Sequence, residues 1–287
     1  MKRREFLKYG VCAGVAAAAA TPAWSAPARK RLASDVVALG NSGVRLTRLA
    51  IGTGTVGYNK ASNQTRQLGI DGLADLFWFG YDEGVRFWDT ADMYGSHPHV
   101  NKALTNVKRE NVVIMTKTRA KTAGQMKDDL DRFRQELNTD YMDLVLLHAV
   151  TDAHWTDTLK GPMDVLSEAR EKGMVKSHGI SCHSLAALRL AAQTPWVQVD
   201  LARLNPIGAH MDADPDTVIS VLRQMKAAGK GVIGMKILGQ GDLRGRADEA
   251  LRFAMRQDCL DCFTIGAENR QELADLVKRI PEASVAA

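Results

Sequence analysis

The chain has 287 residues, 45% of them hydrophobic and 25% charged, which are proportions of a soluble globular protein with room for one barrel-sized domain or two small ones. Its formal charge of +5 comes from Lys2, Arg3, Arg4, Lys8, Arg29, Lys30 and Arg31, all within the first 31 residues. The nearly neutral body excludes the concentrated basic surface that nucleic acid requires, and the absence of repeats or low-complexity tracts excludes a solenoid or a disordered tail.

The amino-terminal stretch "MKRREFLKYGVCAGVAAAAATPAWSAPA" has a basic start, a weakly apolar run rich in Ala and Gly, and small residues where a peptidase would cut. That run is too short for a permanent membrane span. "RREFLK" resembles the twin-arginine export signal, with cleavage expected after Ser25 or Ala28, and Cys12 falls inside the discarded peptide. The expected layout is a removed signal peptide over residues 1–28 and one catalytic barrel over 29–287. The expected partner of the signal is the twin-arginine translocase, and the expected location is the periplasm or another exported compartment.

"VVALGNSGVRLTRLAIGTG" predicts a β-hairpin turning at Gly40, Asn41, Ser42 and Gly43, followed by a strand at about 48–52. Apolar β-type runs then recur: "VRFWDT", "NVVIMTKT", "YMDLVLLHA", "KSHGISC", "WVQVDLARL", "GVIGMKIL" and "CFTIGA". Amphipathic stretches at 122–137, 159–172, 184–193, 214–229, 245–256 and 269–279 predict helices between them. Strands alternating with helices call for parallel strands joined by right-handed crossovers. The first strand carries no G-x-G-x-x-G turn, so a closed (β/α)8 TIM barrel with an N-terminal hairpin is expected rather than an open doubly wound sheet.

In such a barrel the carboxyl ends of the strands build the site. Asp89 and Tyr94 end the second barrel strand, Lys117 the third and His148 the fourth. An ammonium beside a phenol stabilises phenolate and lowers its pKa. Lys117 held by Asp89 would thus make Tyr94 a general acid for an oxygen gaining negative charge, with His148 orienting that oxygen. Hydride reduction of an aldehyde or ketone creates such an oxygen.

These residues carry a resemblance. "GVRFWDTADMYG", "TKT", "LLH" and "IGAENRQELADL" resemble the aldo/keto reductases over nearly all of the mature chain. The resemblance implies a barrel that binds a nicotinamide dinucleotide without a Rossmann motif, usually NADP, with NAD as the alternative. It implies a tetrad of Asp89, Tyr94, Lys117 and His148, and a carbonyl or alcohol as the small-molecule substrate. It places Gly52 and Thr53 against the nicotinamide and Ser181 on the carboxamide. Cys182 stands where the family has Asn, and Leu201 or Ala202 where it has Gln. Met235 takes the place of the stacking aromatic; Lys236, Leu238, Gly239 and Gly241 form the pyrophosphate loop; Glu268 and Arg270 face the far ribose. Arg270 suits a 2′-phosphate and Glu268 a ribose hydroxyl. Export implies a tightly held dinucleotide, regenerated by a second substrate or a redox partner.

Cys259 and Cys262, in "CLDC", lack a second pair and read as buried structural residues. Trp155 is either a wall of the substrate pocket or a core contact, and Asn205 a turn residue. His97 and His99 are expected in a substrate loop after Tyr94. Two other readings stay open: a cofactor-holding regulatory or redox-partner subunit without turnover, and a metal site drawn from His97, His99, His178, Cys182 and His183.

Overall fold

The computed structural model describes residues 30–285; the twin-arginine motif, both cleavage positions and Cys12 lie outside the described residues. A two-stranded antiparallel hairpin, β1 (Val36–Ala38) and β2 (Arg45–Thr47), comes first. The chain then runs through β3 (Leu49–Gly52), α1 (Asn63–Asp82), β4 (Phe87–Asp89), α2 (His97–Leu104), β5 (Val113–Thr118), α3 (Ala123–Leu137) and β6 (Met142–Val150). It continues with α4 (Trp155–Thr158), α5 (Lys160–Glu171), β7 (Val175–Cys182), α6 (Leu185–Gln193), β8 (Val199–Arg203), α7 (Pro215–Ala227), β9 (Gly231–Met235), α8 (Ala247–Arg256), β10 (Cys262–Ile265) and α9 (Arg270–Val285). β3 to β10 pair in parallel and close into an eight-stranded barrel, as expected.

Alternation along each strand sorts the apolar residues into two layers. Ala50, Phe87, Met115, Leu144, Leu146, Val199, Leu201, Ile233, Met235 and Cys262 fill the barrel interior, and Leu39, Val44 and Leu46 of the hairpin plug its amino-terminal end. A larger layer, including Ile51, Phe77, Trp88, Ile114, Phe133, Val145 and Ile180, packs the helices onto the outside. The helix starts follow side-chain caps: Ser62 with Thr65 forms a capping box on α1, while Thr122, Ser184 and Asp214 cap α3, α6 and α7.

Two helices departed from expectation. α1 carries Gly69, Gly72 and Gly80, residues that weaken a helical signature. Gly80 is required by packing, because a Cβ there would collide with Ile51 of β3. α2 begins at His97 with Pro98 in its first turn, so His97 and His99 are helical and not part of a substrate loop. Both are buried. The CLDC cysteines separate: Cys262 lies in the barrel interior and Cys259 in the outer layer, and both are free thiols. Trp155 is a core residue, with its ring 6.3 Å from that of Trp196 and its Nε1 donating to Ala187 O at 3.4 Å.

Asp200, on β8, is fully buried, and its carboxylate finds no partner among the described residues beyond the neighbouring Cys182 thiol. Burial, and then the charge of Asp212, pushes its pKa up to about 8. The native protein therefore keeps a proton that the unfolded chain releases above about pH 4, and stability falls as pH rises from there toward 8. Asp200→Asn, which preserves the uncharged shape, is expected to raise the melting temperature at pH 8, with a gain that shrinks toward zero near pH 4. Thermal melts across that range check it.

Candidate active site at the carboxyl ends of the strands

Lys117 and Asp89 form the floor of the site. Each ends a barrel strand and each is buried, with Lys117 fully enclosed. The Lys117 ammonium donates to an Asp89 oxygen and, at 2.9 Å, to the Thr90 carbonyl. The second Asp89 oxygen accepts from the Thr264 hydroxyl of β10 at 2.8 Å. Burial opposes the ammonium, but Asp89 and the Tyr94 oxygen outweigh it, and the Lys117 pKa is raised.

Tyr94 sits on a 3₁₀ turn, Asp92–Tyr94, that follows β4 and ends at Gly95 in the left-handed region, φ 62°. Asp92 anchors the turn by pairing with Lys60 and, at 2.6 Å, with Arg132 of α3. The phenol ring lies against the backbone of Gly54 and Gly57 in the loop after β3, where a Cβ at either position would run into it. The Lys117 Nζ is 4.7 Å from the ring centroid, and the hydroxyl is 3.4 Å from His148 Nε2. His148 reaches this place through an irregularity in β6: the register shifts between Leu147 and Val150, and Ala149 has φ 54°.

The electrostatics differ from expectation at Tyr94. Desolvation of the phenolate outweighs the attraction of Lys117, Asp89 adds repulsion, and the phenol pKa is raised rather than lowered. The His148 pKa is held well below its usual value by burial, then by Lys117, His183 and Arg119. Tyr94 therefore stays protonated and His148 stays neutral.

The expected dinucleotide residues divide. Ser181 is buried and its hydroxyl has no partner among the described residues. Its neighbour Cys182 faces the opposite side of β7, in the outer layer beside Asp200, and cannot share a ligand with it. Of the two residues set against the family's Gln, Leu201 faces inward and Ala202 outward. Gly52 ends β3, and the Thr53 hydroxyl is already engaged with Asp89 O at 2.9 Å and Ser96 Oγ at 2.8 Å. Met235 closes the barrel interior. Lys236 adopts φ 57° and pairs with no described carboxylate, donating instead to Gln240 Oε1 at 2.5 Å. Asn205 holds that turn, its amide donating to Lys236 O at 3.2 Å and Ala209 O at 2.8 Å.

Leu238 is partly buried against the outer layer, while Gly239 and Gly241, at φ 57° and 119°, shape the loop after β9. Glu268 accepts from Asn63 Nδ2 at 2.8 Å and pairs with Arg244 at 3.2 Å. Arg270 is turned away and paired with Asp75 of α1, its Nε at 2.7 Å.

The His and Cys residues considered for a metal do not converge. His178 stacks on Trp196 at 4.3 Å. Asp92, His97 and Glu136 bring donor atoms within 4.8 Å of one another, but their atoms are already paired. His97 bonds Glu136 at 2.6 Å and Thr116 at 2.7 Å, and Arg132 bridges Asp92 and Glu136. The His97 hydrogen bond is the main cause that holds the Glu136 carboxyl at about 2. Thr264, Gly54, Gly57 and Ser96, which links the hydroxyls of Thr53 and Thr90, were not singled out from sequence.

Residues 48–283 match the aldo/keto reductase family. The chain belongs to it. Among curated relatives, the chain is 34% identical over 101 residues to methylglyoxal reductase of Escherichia coli O157:H7, covering 34% of this chain and 35% of that protein. It is 30% identical over 148 residues to D-arabinose 1-dehydrogenase of Saccharomyces cerevisiae, covering 47% and 44%. The chain thus spans less than half the length of these relatives. Two solved structures share the aldo/keto reductase barrel at 16% identity. The holo aldo-keto reductase of Bacillus halodurans has a TM-score of 0.67 with 87% of this chain and 90% of that chain covered. The glycerol dehydrogenase of Gluconobacter oxydans has a TM-score of 0.69 with 89% and 95% covered.

Removing Lys117 would strand a buried carboxylate. Lys117→Met is expected to cost about 3–5 kcal/mol of unfolding free energy, with Asp89→Asn in the same chain recovering part of it. Urea denaturation of the two variants and the wild type checks both.

Proposed function

We propose that this aldo/keto reductase reduces an aldehyde or ketone, and oxidises the corresponding alcohol, with a nicotinamide dinucleotide and Tyr94 as the proton donor. One observation carries the reading: the Tyr94 hydroxyl and His148 Nε2 lie 3.4 Å apart, above the buried Lys117–Asp89 pair. A carbonyl oxygen seated between them would accept from both groups. As negative charge builds on it, Lys117 stabilises that charge, and the alkoxide, a far stronger base than phenolate, takes the Tyr94 proton. Raising the phenol pKa keeps the donor loaded. Lowering that of His148 keeps the imidazole a neutral hydrogen-bond donor.

The residues present suit the dinucleotide, which supplies the hydride to the carbonyl carbon when bound. Ser181, buried without a partner, would take the carboxamide. Lys236 and the loop after β9 would take the phosphates. At the far ribose the supports favour a free hydroxyl over a phosphate: Glu268 offers a carboxylate, and Arg270 is committed to Asp75. NADH is therefore the preferred donor in this reading, with Arg244 the remaining candidate for a 2′-phosphate. The reading retains export by the twin-arginine translocase on the strength of "RREFLK", with the dinucleotide tightly bound before transit; protein purified from the periplasm without dinucleotide absorbance would overturn the tight binding, and protein found only in the cytoplasm would overturn the export.

Tyr94→Phe is expected to lower turnover by about 10²–10⁴-fold while fluorescence titration with NADH and NADPH is unchanged. Loss of binding together with turnover would point to a folding defect instead. Because His148 is shifted down and Tyr94 up, the reduction rate should show no limb near the ordinary histidine pKa of about 6.5 and should fall only above the ordinary tyrosine value of about 10. A pH profile of kcat/KM with a limb near 6.5 would contradict this.

A further inference from the structure

Positive charge gathers on the substrate side of the mouth beyond what the proposed chemistry uses. Lys117 points inward to Asp89, Thr118 turns outward and donates to Asp129 of α3, and Arg119 returns to the mouth. Arg119 is exposed and makes no hydrogen bond or ion pair among the described residues. Its guanidinium acts on both His148 and His183. His183 follows β7, its backbone N–H donating to Val150 O at 2.7 Å, and its half-buried ring lies within the field of Arg203, Lys236, Arg119 and Lys117. Burial and these four cations push its pKa down to about 3.

Of the four, Lys117 is balanced by Asp89 and Arg203 by Asp212. Lys236 faces the loop assigned above to the dinucleotide phosphates. Arg119 alone of this set has neither a carboxylate nor an assigned ligand among the described residues, and two places after Lys117 on the strand alternation it stands at the same mouth, where its charge is felt by the imidazole that would hold the carbonyl. A guanidinium presents a planar fork of donors that fits carboxylate or phosphate oxygens in two parallel hydrogen bonds.

We propose that the substrate is an anionic carbonyl compound, an aldehyde or ketone bearing a carboxylate or a phosphate, whose charged end is received by Arg119 with His183 as a second donor. This rests on the reductase reading and adds the class of substrate. Arg119 is then a specificity-determining residue, and its contribution should appear in discrimination between charged and neutral substrates.

The experiment compares kcat/KM, with NADH saturating, for two matched pairs: succinic semialdehyde against butyraldehyde, and glyceraldehyde 3-phosphate against glyceraldehyde. The expected result is a preference of at least about tenfold for the charged member of one pair, which also tells carboxylate from phosphate. That ratio should fall on the order of 10–100-fold in Arg119→Gln, the weight of a lost hydrogen bond to a charged group, and return in part in Arg119→Lys. Added salt should erode it in the wild type and not in Arg119→Gln. Equal use of both members of both pairs, or an unchanged ratio in Arg119→Gln, would overturn the substrate class while leaving the reductase intact. Bound NADH with no turnover of any of the four compounds would overturn both.

Discussion

The buried pair of Lys117 and Asp89 is the constraint around which the mouth of the barrel is arranged. Enclosing two charges is costly, and the cost is offset only when every remaining donor and acceptor is satisfied. Here the Thr90 carbonyl, the Thr264 hydroxyl and the Tyr94 oxygen face the places left open by the ion pair itself. The pair thereby ties together the ends of β4, β5 and β10, on both sides of β3. A hydrophobic pair of similar volume would pack as well, so the charge is retained for what it does to its surroundings.

What it does is set the protonation of its neighbours in opposite senses. Tyr94 is kept protonated by its own burial and by Asp89, with Lys117 opposing, while Lys117 and burial keep His148 uncharged. A phenol and an uncharged imidazole face one small volume beside the buried ion pair. In the proposed reaction that arrangement would favour an oxygen that is becoming negative over a ground-state carbonyl, which is where electrostatic catalysis acts.

Much of this was legible in the chain, for a physical reason. Strand ends of a barrel are exposed to the site while their preceding residues are buried, so "FWDTADMY", "VIMTKT" and "LVLLH" show polar chemistry breaking out of apolar runs at three places. The hairpin follows from its turn residues, and six of the helices from the amphipathic spacing of their apolar residues. α1 was hidden because Gly80 answers to Ile51 and not to helix propensity, and α2 because a Pro flanked by histidines looks like a loop. Adjacent residues such as Ser181 and Cys182 resemble one another in sequence but lie on opposite faces of β7. Arg270 could not be placed without knowing that Asp75, nearly two hundred residues away, waits for it. Direction of the Tyr94 shift depends on how completely the ring is desolvated, a quantity that spacing does not carry.

The thiols of the described chain have a bearing on where such a protein can mature. Cys182 and Cys259 lie in the outer layer and Cys262 inside the barrel, all buried and unpaired, and burial raises the pKa of each, so that little thiolate forms. No disulfide completes the fold among the described residues, and an oxidant reaching the barrel finds these three thiols shielded by packing. The described barrel is thus held together by packing and polar pairing alone, whatever the redox poise around it.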